Sequence, residues 1–166
     1  MKKAHLAVTL ILVLSGGLFA AMVESPEPSG DPRIKDVLEE LQIRYEVDQD
    51  GDYKVLFEWE DDGRSQVAFI NSATETLDQM ELREVWSAAY VSEKPLEAKI
   101  ANRLLEDSFI KKLGSWQVMK TSDQWVGMFT VKIDADADAA AIMTALEAVL
   151  TSADEMEKEL LGSDEL

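Results

Sequence analysis

The sequence predicts an α+β fold in which an antiparallel sheet of about five strands carries its helices on one face. Apolar residues recur with helical spacing in some segments and alternate with strand spacing in others, in the order α-β-β-β-α-β-β-α. Turn sequences join the consecutive strands, and runs of antiparallel strands between helices are typical of this class. With 166 residues and a hydrophobic fraction of 46%, the chain can form one domain with a substantial core.

The first helix is predicted to begin directly after a flexible segment. Asp31 is a suitable N-cap, and Pro32 fits the first helical position. One face of the helix is apolar and carries Ile34, Val37, Leu38 and Leu41.

Three strands follow this helix. In the segment YKVLFEW the side chains alternate, so that one face carries Tyr53, Val55, Phe57 and Trp59 and the other carries Lys54 and Glu58. The segment EDDGR is predicted as a hairpin turn into a second strand, SQVAFI, and MELREVWSAAYV is predicted as the third.

Helical spacing returns in EKPLEAKIANRLLEDSFIKKLG, where Gly114 is expected to end a second helix. The apolar stripe of this helix is predicted to contain Leu96, Ile100, Leu104, Leu105, Phe109 and Leu113. A hairpin follows, with TSDQ as the turn between a short strand around Val118 and a longer one from Trp125 to Ile133. The last helix is expected to begin near Asp138 and to bury Ile142, Leu146, Leu150 and Ala153.

Residues 1–21 have the layout of a secretory signal peptide. Lys2 and Lys3 precede an apolar run, and SGG interrupts that run before LFAAM. Because Leu6 to Val23 is an uncharged stretch of 18 residues, an uncleaved membrane anchor is the alternative. We predict a flexible linker over 22–31, the α+β domain over 32–161 and an acidic tail over 162–166.

Composition excludes several functional classes. A net charge of −17 opposes binding of nucleic acid, and it makes anionic membranes poor partners for the bulk of the protein, so we expect membrane association only if the N-terminal segment is retained. The chain has no cysteine, and its one histidine, His5, would be removed with the signal. The mature domain would then have no histidine- or cysteine-based catalytic group, so we predict no catalytic residue and no cofactor.

The acidic motifs are better explained as caps and turns than as metal sites. Asp134, Asp136 and Asp138 match the first ligands of a calcium loop, but Ala139 and Ala145 stand where such a loop needs glycine and glutamate. The same aspartates suit a helix N-terminus. The segment VDQDGDY is predicted as a turn in which Gly51 adopts positive φ, and no metal site is expected.

Two kinds of candidate functional residue remain. Clustered carboxylates such as Glu60, Asp61 and Asp62 keep open a carboxylate- or metal-dependent hydrolase, although a solvated acidic surface explains them more simply. The tryptophans all fall on predicted strands, where they serve either in the core or in an exposed surface for a protein or peptide partner. This candidate interaction surface comprises Trp59, Trp86, Trp116 and Trp125.

The order of elements and the apolar positions resemble those of the YbjN-type bacterial domains, which are described as sensory transduction regulators. The resemblance is carried by LEELQIRYEVDQDGDYKVLFEWEDDGRSQVAFI and by ANRLLEDSFIKKLGSWQVMK leading into WVGMFTVKI, and it covers about residues 31–161. It implies a fold similar to the type III secretion chaperones, a non-enzymatic binding module, and pairing of subunits as a homodimer. With the signal, it implies a periplasmic protein, or one anchored to the inner membrane if the signal is kept.

Overall fold

The computed structural model describes residues 29–60 and 63–166, so the predicted signal peptide and most of the linker lie outside the described residues. The described residues form three helices and one six-stranded sheet. The helices are α1 (Pro32–Glu40), α2 (Ala98–Ile110) and α3 (Ala139–Leu160). The strands are β1 (Glu46–Val47), β2 (Tyr53–Glu58), β3 (Ser65–Leu77), β4 (Met80–Ser92), β5 (Ser115–Lys120) and β6 (Trp125–Asp134).

All neighbouring strands pair antiparallel, in the order β1-β2-β3-β4-β6-β5, which confirms the predicted α+β class. The sixth strand is β1, a two-residue segment paired with β2, and it is too short to show an alternating pattern. Strand β3 also extends beyond the predicted SQVAFI, and its pairing with β4 shifts register between Ile70 and Thr74. Such a shift releases backbone groups that must find other partners.

The core lies between the helices and one face of the sheet. Helix α3 packs on β3, β4 and β6, and α2 packs on β5. The predicted inward residues of α3, Ile142, Leu146, Leu150 and Ala153, are all buried. So are Tyr53 and Val55 on β2, whereas Phe57, which was predicted on the same face of the strand, is exposed at the sheet edge.

Helix α2 differs from its prediction in two ways. It ends at Ile110, before Gly114, because Lys111 is already extended (ψ 140°). Gly114 instead occupies a tight bend at φ +83°, where a Cβ would lie 2.7 Å from the carbonyl oxygen of Thr130. The predicted apolar stripe is also divided: Leu96, Ile100 and Leu104 pack against the core, but Leu105, Phe109 and Leu113 are exposed.

Three local predictions are confirmed. Asp31 caps α1 by accepting a hydrogen bond from the backbone N–H of Arg33 (2.9 Å), with Pro32 at the first position. Asp138 caps α3 by accepting from the N–H of Ala141 (2.9 Å). Gly51 has φ +88° in the turn before β2.

The cap at Asp138 yields a first prediction. Replacing Asp138 by alanine should lower the free energy of unfolding by about 1 kcal/mol, because the first turn of α3 loses its acceptor. Urea denaturation of the variant and the wild type measures the difference. Asp123→Ala, in the exposed β5–β6 turn, is the control and should change the stability by less than about 0.5 kcal/mol. Equal effects of the two substitutions would contradict the capping role.

None of the helices in the described part of the chain has the length and apolar character that a membrane span requires.

Candidate interaction surface

The structure does not bring the four candidate tryptophans together into one surface. Trp59 follows β2 and packs against the edge of the core, with its ring 4.9 Å from that of Phe57. Trp125 begins β6 at the same end of the sheet, where the Lys120 Nζ lies 5.4 Å from its ring centroid. Trp116 and Trp86 lie on opposite faces of the sheet, so the predicted four-residue patch is not formed as a unit.

Trp116 belongs to the core. It is only 6% exposed on β5, and its ring meets Phe129 edge to face at 5.2 Å. Its Nε1 donates to Asp107 Oδ2 (2.8 Å), and its backbone N–H donates to Ser108 Oγ (2.8 Å). Trp116 therefore fastens α2 to the sheet and is not available to a partner.

Trp86 lies on the other face of the sheet and stacks on Phe69, with ring centroids 4.3 Å apart and planes 13° apart. Its Nε1 donates to Asn71 Oδ1 (2.9 Å). No described helix packs on this face, which we call the open sheet face. Its apolar side chains come from neighbouring strands and comprise Leu56, Val67, Phe69, Trp86, Ala88, Met119 and Met128.

The open sheet face carries larger apolar side chains than the face that α3 covers on the two central strands. Beneath α3, β3 and β4 present Gln66 and Ser87 together with Ala68 and Ala89. Helix α3 is itself rich in alanine, and small side chains let a helix approach a sheet closely. Phe69 and Trp86 of these strands lie on the open side, near Leu56, which is 57% exposed.

A groove of about 830 Å³ runs along the β1–β2 end of this face. It is lined by Ile43, Tyr45, Leu56, Phe57 and Val67, with the charged residues Arg44, Glu46, Lys54 and Glu58 around them. Glu46 stands opposite Lys54, and Glu58 lies four residues further along β2, about 13 Å away at the usual rise of a strand. The Lys54 Nζ lies 3.9 Å from Glu46 Oε2, so this glutamate is paired with a lysine.

A second group of carboxylates surrounds Arg64. The ligand oxygens of Asp154, Glu157 and Asp164 lie within 4.8 Å of one another, a spacing that could suit a metal. The Arg64 guanidinium contacts all three, with Nε 2.5 Å from Asp154 Oδ1 and Nη2 3.1 Å from Glu157 Oε2. An arginine thus already binds all three carboxylates, and the residues fit an ionic lock better than a metal site.

This lock holds the acidic tail against the domain. Glu157 Oε1 accepts from the backbone N–H groups of Glu165 (2.7 Å) and Leu166 (3.0 Å), and Arg64 donates to the carbonyl oxygen of Ser163 (2.8 Å). Burial raises the pKa of Glu157 above its ordinary value. Protonation of this carboxylate at low pH would weaken its hydrogen bonds with the backbone N–H groups of Glu165 and Leu166.

A buried arginine that the sequence did not reveal lies at the other end of the sheet. Arg83 is 0% exposed, and its Nη2 lies 2.5 Å from Asp31 Oδ2. Its Nη1 donates to the carbonyl oxygens of Asn71 (2.5 Å) and Ser72 (3.0 Å), both of which lie in the register shift of β3. Hydrogen bonds from Arg33 and Arg83 hold the pKa of Asp31 well below its usual range. This network is structural.

Neither the known protein families nor the curated proteins include a match to this sequence. The assignment of a function therefore rests on the geometry of the domain and on the charge and exposure of its surfaces.

Proposed function

We propose that this protein is a non-enzymatic binding domain of the bacterial cell envelope that acts by association through its open sheet face. The observation that carries the proposal is the uncovered row of apolar side chains across β2, β3 and β4, centred on the stacked Phe69 and Trp86. An antiparallel sheet can leave one face to solvent, but that face is then usually polar. Phe69 and Trp86 are half-buried and Leu56 is exposed, and a contiguous apolar face that no helix covers more often marks an interaction site.

The partner is a protein or peptide, and a second copy of the chain is the first partner to test. Two open sheet faces would cover each other in a homodimer, with charged residues such as Lys54, opposite Phe69, and Glu84, opposite Lys132, available to pair across it. The role agrees with the chaperone-like or regulatory function that the resemblance to YbjN-type domains implies. The signal-like segment of residues 1–21 supports a periplasmic location, or the periplasmic side of the inner membrane if it is retained.

The alternative, a carboxylate- or metal-dependent hydrolase, has less support. Enzymes place polar and titratable groups together in a concave site. Within residues 29–60 and 63–166, the groove at the β1–β2 edge has separated carboxylates, and the clustered carboxylates are bound by Arg64. A hydrolase activity screen of the purified protein remains the direct test of this alternative.

Association through the open sheet face predicts a specific effect of Leu56→Ser. Burying a leucine stabilises an interface by about 1.5–3 kcal/mol, so its loss should raise the dissociation constant about tenfold or more. Sedimentation velocity over a range of concentrations measures this constant for self-association. Pulldown from an envelope extract measures the loss of a different partner.

Leu77→Ser is the matched control, because Leu77 is also an exposed leucine but lies in the β3–β4 hairpin, away from the centre of the open sheet face. It should leave association unchanged, and both variants should keep the stability of the wild type. A strict monomer at high concentration that also retains no partner from the extract would contradict the proposal.

A further inference from the structure

Helix α2 buries Leu104 in the core but leaves several of its other apolar side chains in solvent, and polar residues on its protein side bind neighbouring elements. Arg103 binds Glu159 of α3 (2.7 Å), and Lys111 lies 3.6 Å from Glu155. Asp107, on the same side, accepts from the Trp116 ring. A helix whose only role is to cover a core would not leave so many of its apolar side chains in solvent.

The exposed apolar side chains of α2 and its neighbouring edge strand form a second surface, which we call the α2–β5 edge. Phe109 is 91% exposed, Ile110 72% and Leu105 63%, and Leu113 and Val118 are also exposed. Strand β5 is the last strand of the sheet, and no described strand pairs with its outer side. These side chains protrude from the molecule and do not line a groove, and they are separate from the open sheet face.

The charge of this region is opposite to that of the rest of the chain. Residues 94–120 contain six basic and three acidic residues, a net charge of +3. The remaining residues contain 10 basic and 30 acidic residues, a net charge of −20. Residues 94–120 are therefore a basic region within the described part of the chain, and this region coincides with the protruding apolar side chains.

Arg103 and Lys111 bind carboxylates, but the other four basic groups of this region have no carboxylate partner among the described residues. Lys94, Lys99, Lys112 and Lys120 form no ion pair with any residue that the structure describes. Elsewhere, by contrast, Arg33, Arg64, Arg83 and Lys132 bind one or more carboxylates each. Lysines without a carboxylate partner in so acidic a protein are available to an external anion.

From these observations we propose that the α2–β5 edge binds the surface of an anionic phospholipid bilayer. Protruding Phe109, Ile110 and Leu105 would enter the interface, while the lysines around them meet the headgroups. Each lysine near an anionic surface strengthens the partition about fivefold. Lysine is depleted in protein–protein interfaces, so this composition fits a membrane better than a protein partner.

The overall negative charge determines how the domain would sit and does not prevent binding. Charges beyond about 8 Å are largely screened at physiological ionic strength, so acidic residues on the far side of the domain contribute little at the contact. They oppose every orientation except the one with the α2–β5 edge against the bilayer. The expectation that anionic membranes are poor partners for the bulk of the protein thus leaves room for one local exception.

A single fluorescent label on the full chain tests this proposal, because the chain has no cysteine of its own. Ile110→Cys carries an environment-sensitive fluorophore, and Leu77→Cys, at a similarly exposed leucine, carries the control label. With vesicles of phosphatidylglycerol and phosphatidylcholine, the label at position 110 should shift to the blue and resist an aqueous quencher. The label at position 77 should do neither, even if residues 1–28 bind the vesicles by themselves.

Charge reversal separates the role of the lysines. In the triple variant Lys99→Glu, Lys112→Glu and Lys120→Glu, the lipid concentration that gives half of the fluorescence shift at position 110 should rise at least tenfold. The matched triple variant Lys35→Glu, Lys54→Glu and Lys132→Glu, with the same change of net charge, should raise it far less.

Four results would overturn the proposal. In the first, the label at position 110 stays exposed to water in the presence of the anionic vesicles. In the second, the label is buried equally on vesicles of phosphatidylcholine alone. In the third, the label is buried without vesicles as the protein concentration rises, which would assign the α2–β5 edge to a second copy of the chain. In the fourth, a lipid-free envelope extract buries the label but vesicles do not, which would assign the edge to a protein partner. None of these results depends on Leu56, so they are independent of the test of the open sheet face.

Discussion

Replacing Arg83 by alanine should lower the free energy of unfolding by about 3–5 kcal/mol, one of the two largest effects expected of a single substitution here. The guanidinium is fully buried and joins Asp31 to the carbonyl oxygens of Asn71 and Ser72. Without it, two buried carbonyls and a carboxylate lose a charged donor, and a cavity remains. Urea denaturation of the variant and the wild type measures the loss.

Two comparisons separate the charge of Arg83 from its volume. Arg83→Met restores most of the volume and should recover only part of the loss, because the carbonyls stay unpaired. Acid titration of the wild type and of Arg83→Met gives the second comparison. The pKa of Asp31 is lowered from 3.8, so its interactions stabilise the fold above that value and are lost as the pH falls through the lowered pKa. In Arg83→Met this acid dependence should shrink, and an unchanged dependence would contradict the assigned pairing.

Replacing Trp116 by alanine should have an effect of the same size, about 3–5 kcal/mol. The substitution opens a cavity beside Phe129 and removes the donor to Asp107, so it also loosens α2 from β5. Thermal or denaturant unfolding measures the stability. Trp116→Phe, which keeps a ring but not the Nε1–H group, should cost only about 1–3 kcal/mol.

Trp125 is the control for Trp116. It is half-buried at the start of β6, and its ring contacts Lys120 and not a buried carboxylate. Trp125→Ala should therefore cost about 1–2 kcal/mol, in proportion to the smaller area that it buries. Equal losses for Trp116→Ala and Trp125→Ala would show that the two tryptophans are not divided between core and edge as described.

The sequence was sufficient to predict the order of the main elements, since alternation and helical spacing are local properties. Asp31, Pro32 and Asp138 mark helix starts through the chemistry of the cap, and these predictions are confirmed. Strand β1 could not be found, because two residues carry no period. Its existence depends on the pairing of Glu46 with Lys54, which is a tertiary contact.

The sequence could not predict which face of each central strand is buried. In β4 the more apolar set of alternating residues contains Leu82 and Trp86, yet Arg83 and Val85 of the other set are the fully buried ones. The close approach of alanine-rich α3 and the acceptors released by the register shift of β3 decide this orientation, and both are tertiary features. For the same reason the predicted surface of four tryptophans is divided, with Trp116 in the core and Trp86 on the open sheet face.

In helix α2, too, the sequence could not predict which apolar residues are buried. Its apolar residues follow helical spacing closely enough to predict a buried stripe, but β5 and α3 contact its polar side through Asp107, Ser108 and Arg103. Leu105 and Phe109 are left outside the core. A pattern of apolar residues predicts a helix with a preferred face, but it does not specify whether that face meets the core of the same chain.

The most direct test of the proposed function is photocrosslinking from position 56 in the intact cell envelope. A benzophenone group attached to Leu56→Cys lies on the open sheet face, and the same group on Leu77→Cys lies in the β3–β4 hairpin. We predict a covalent adduct of one discrete mass from position 56, equal to a dimer or to a complex with one partner, and none from position 77. Uncrosslinked protein at both positions would contradict the proposal that the domain acts by association through this face.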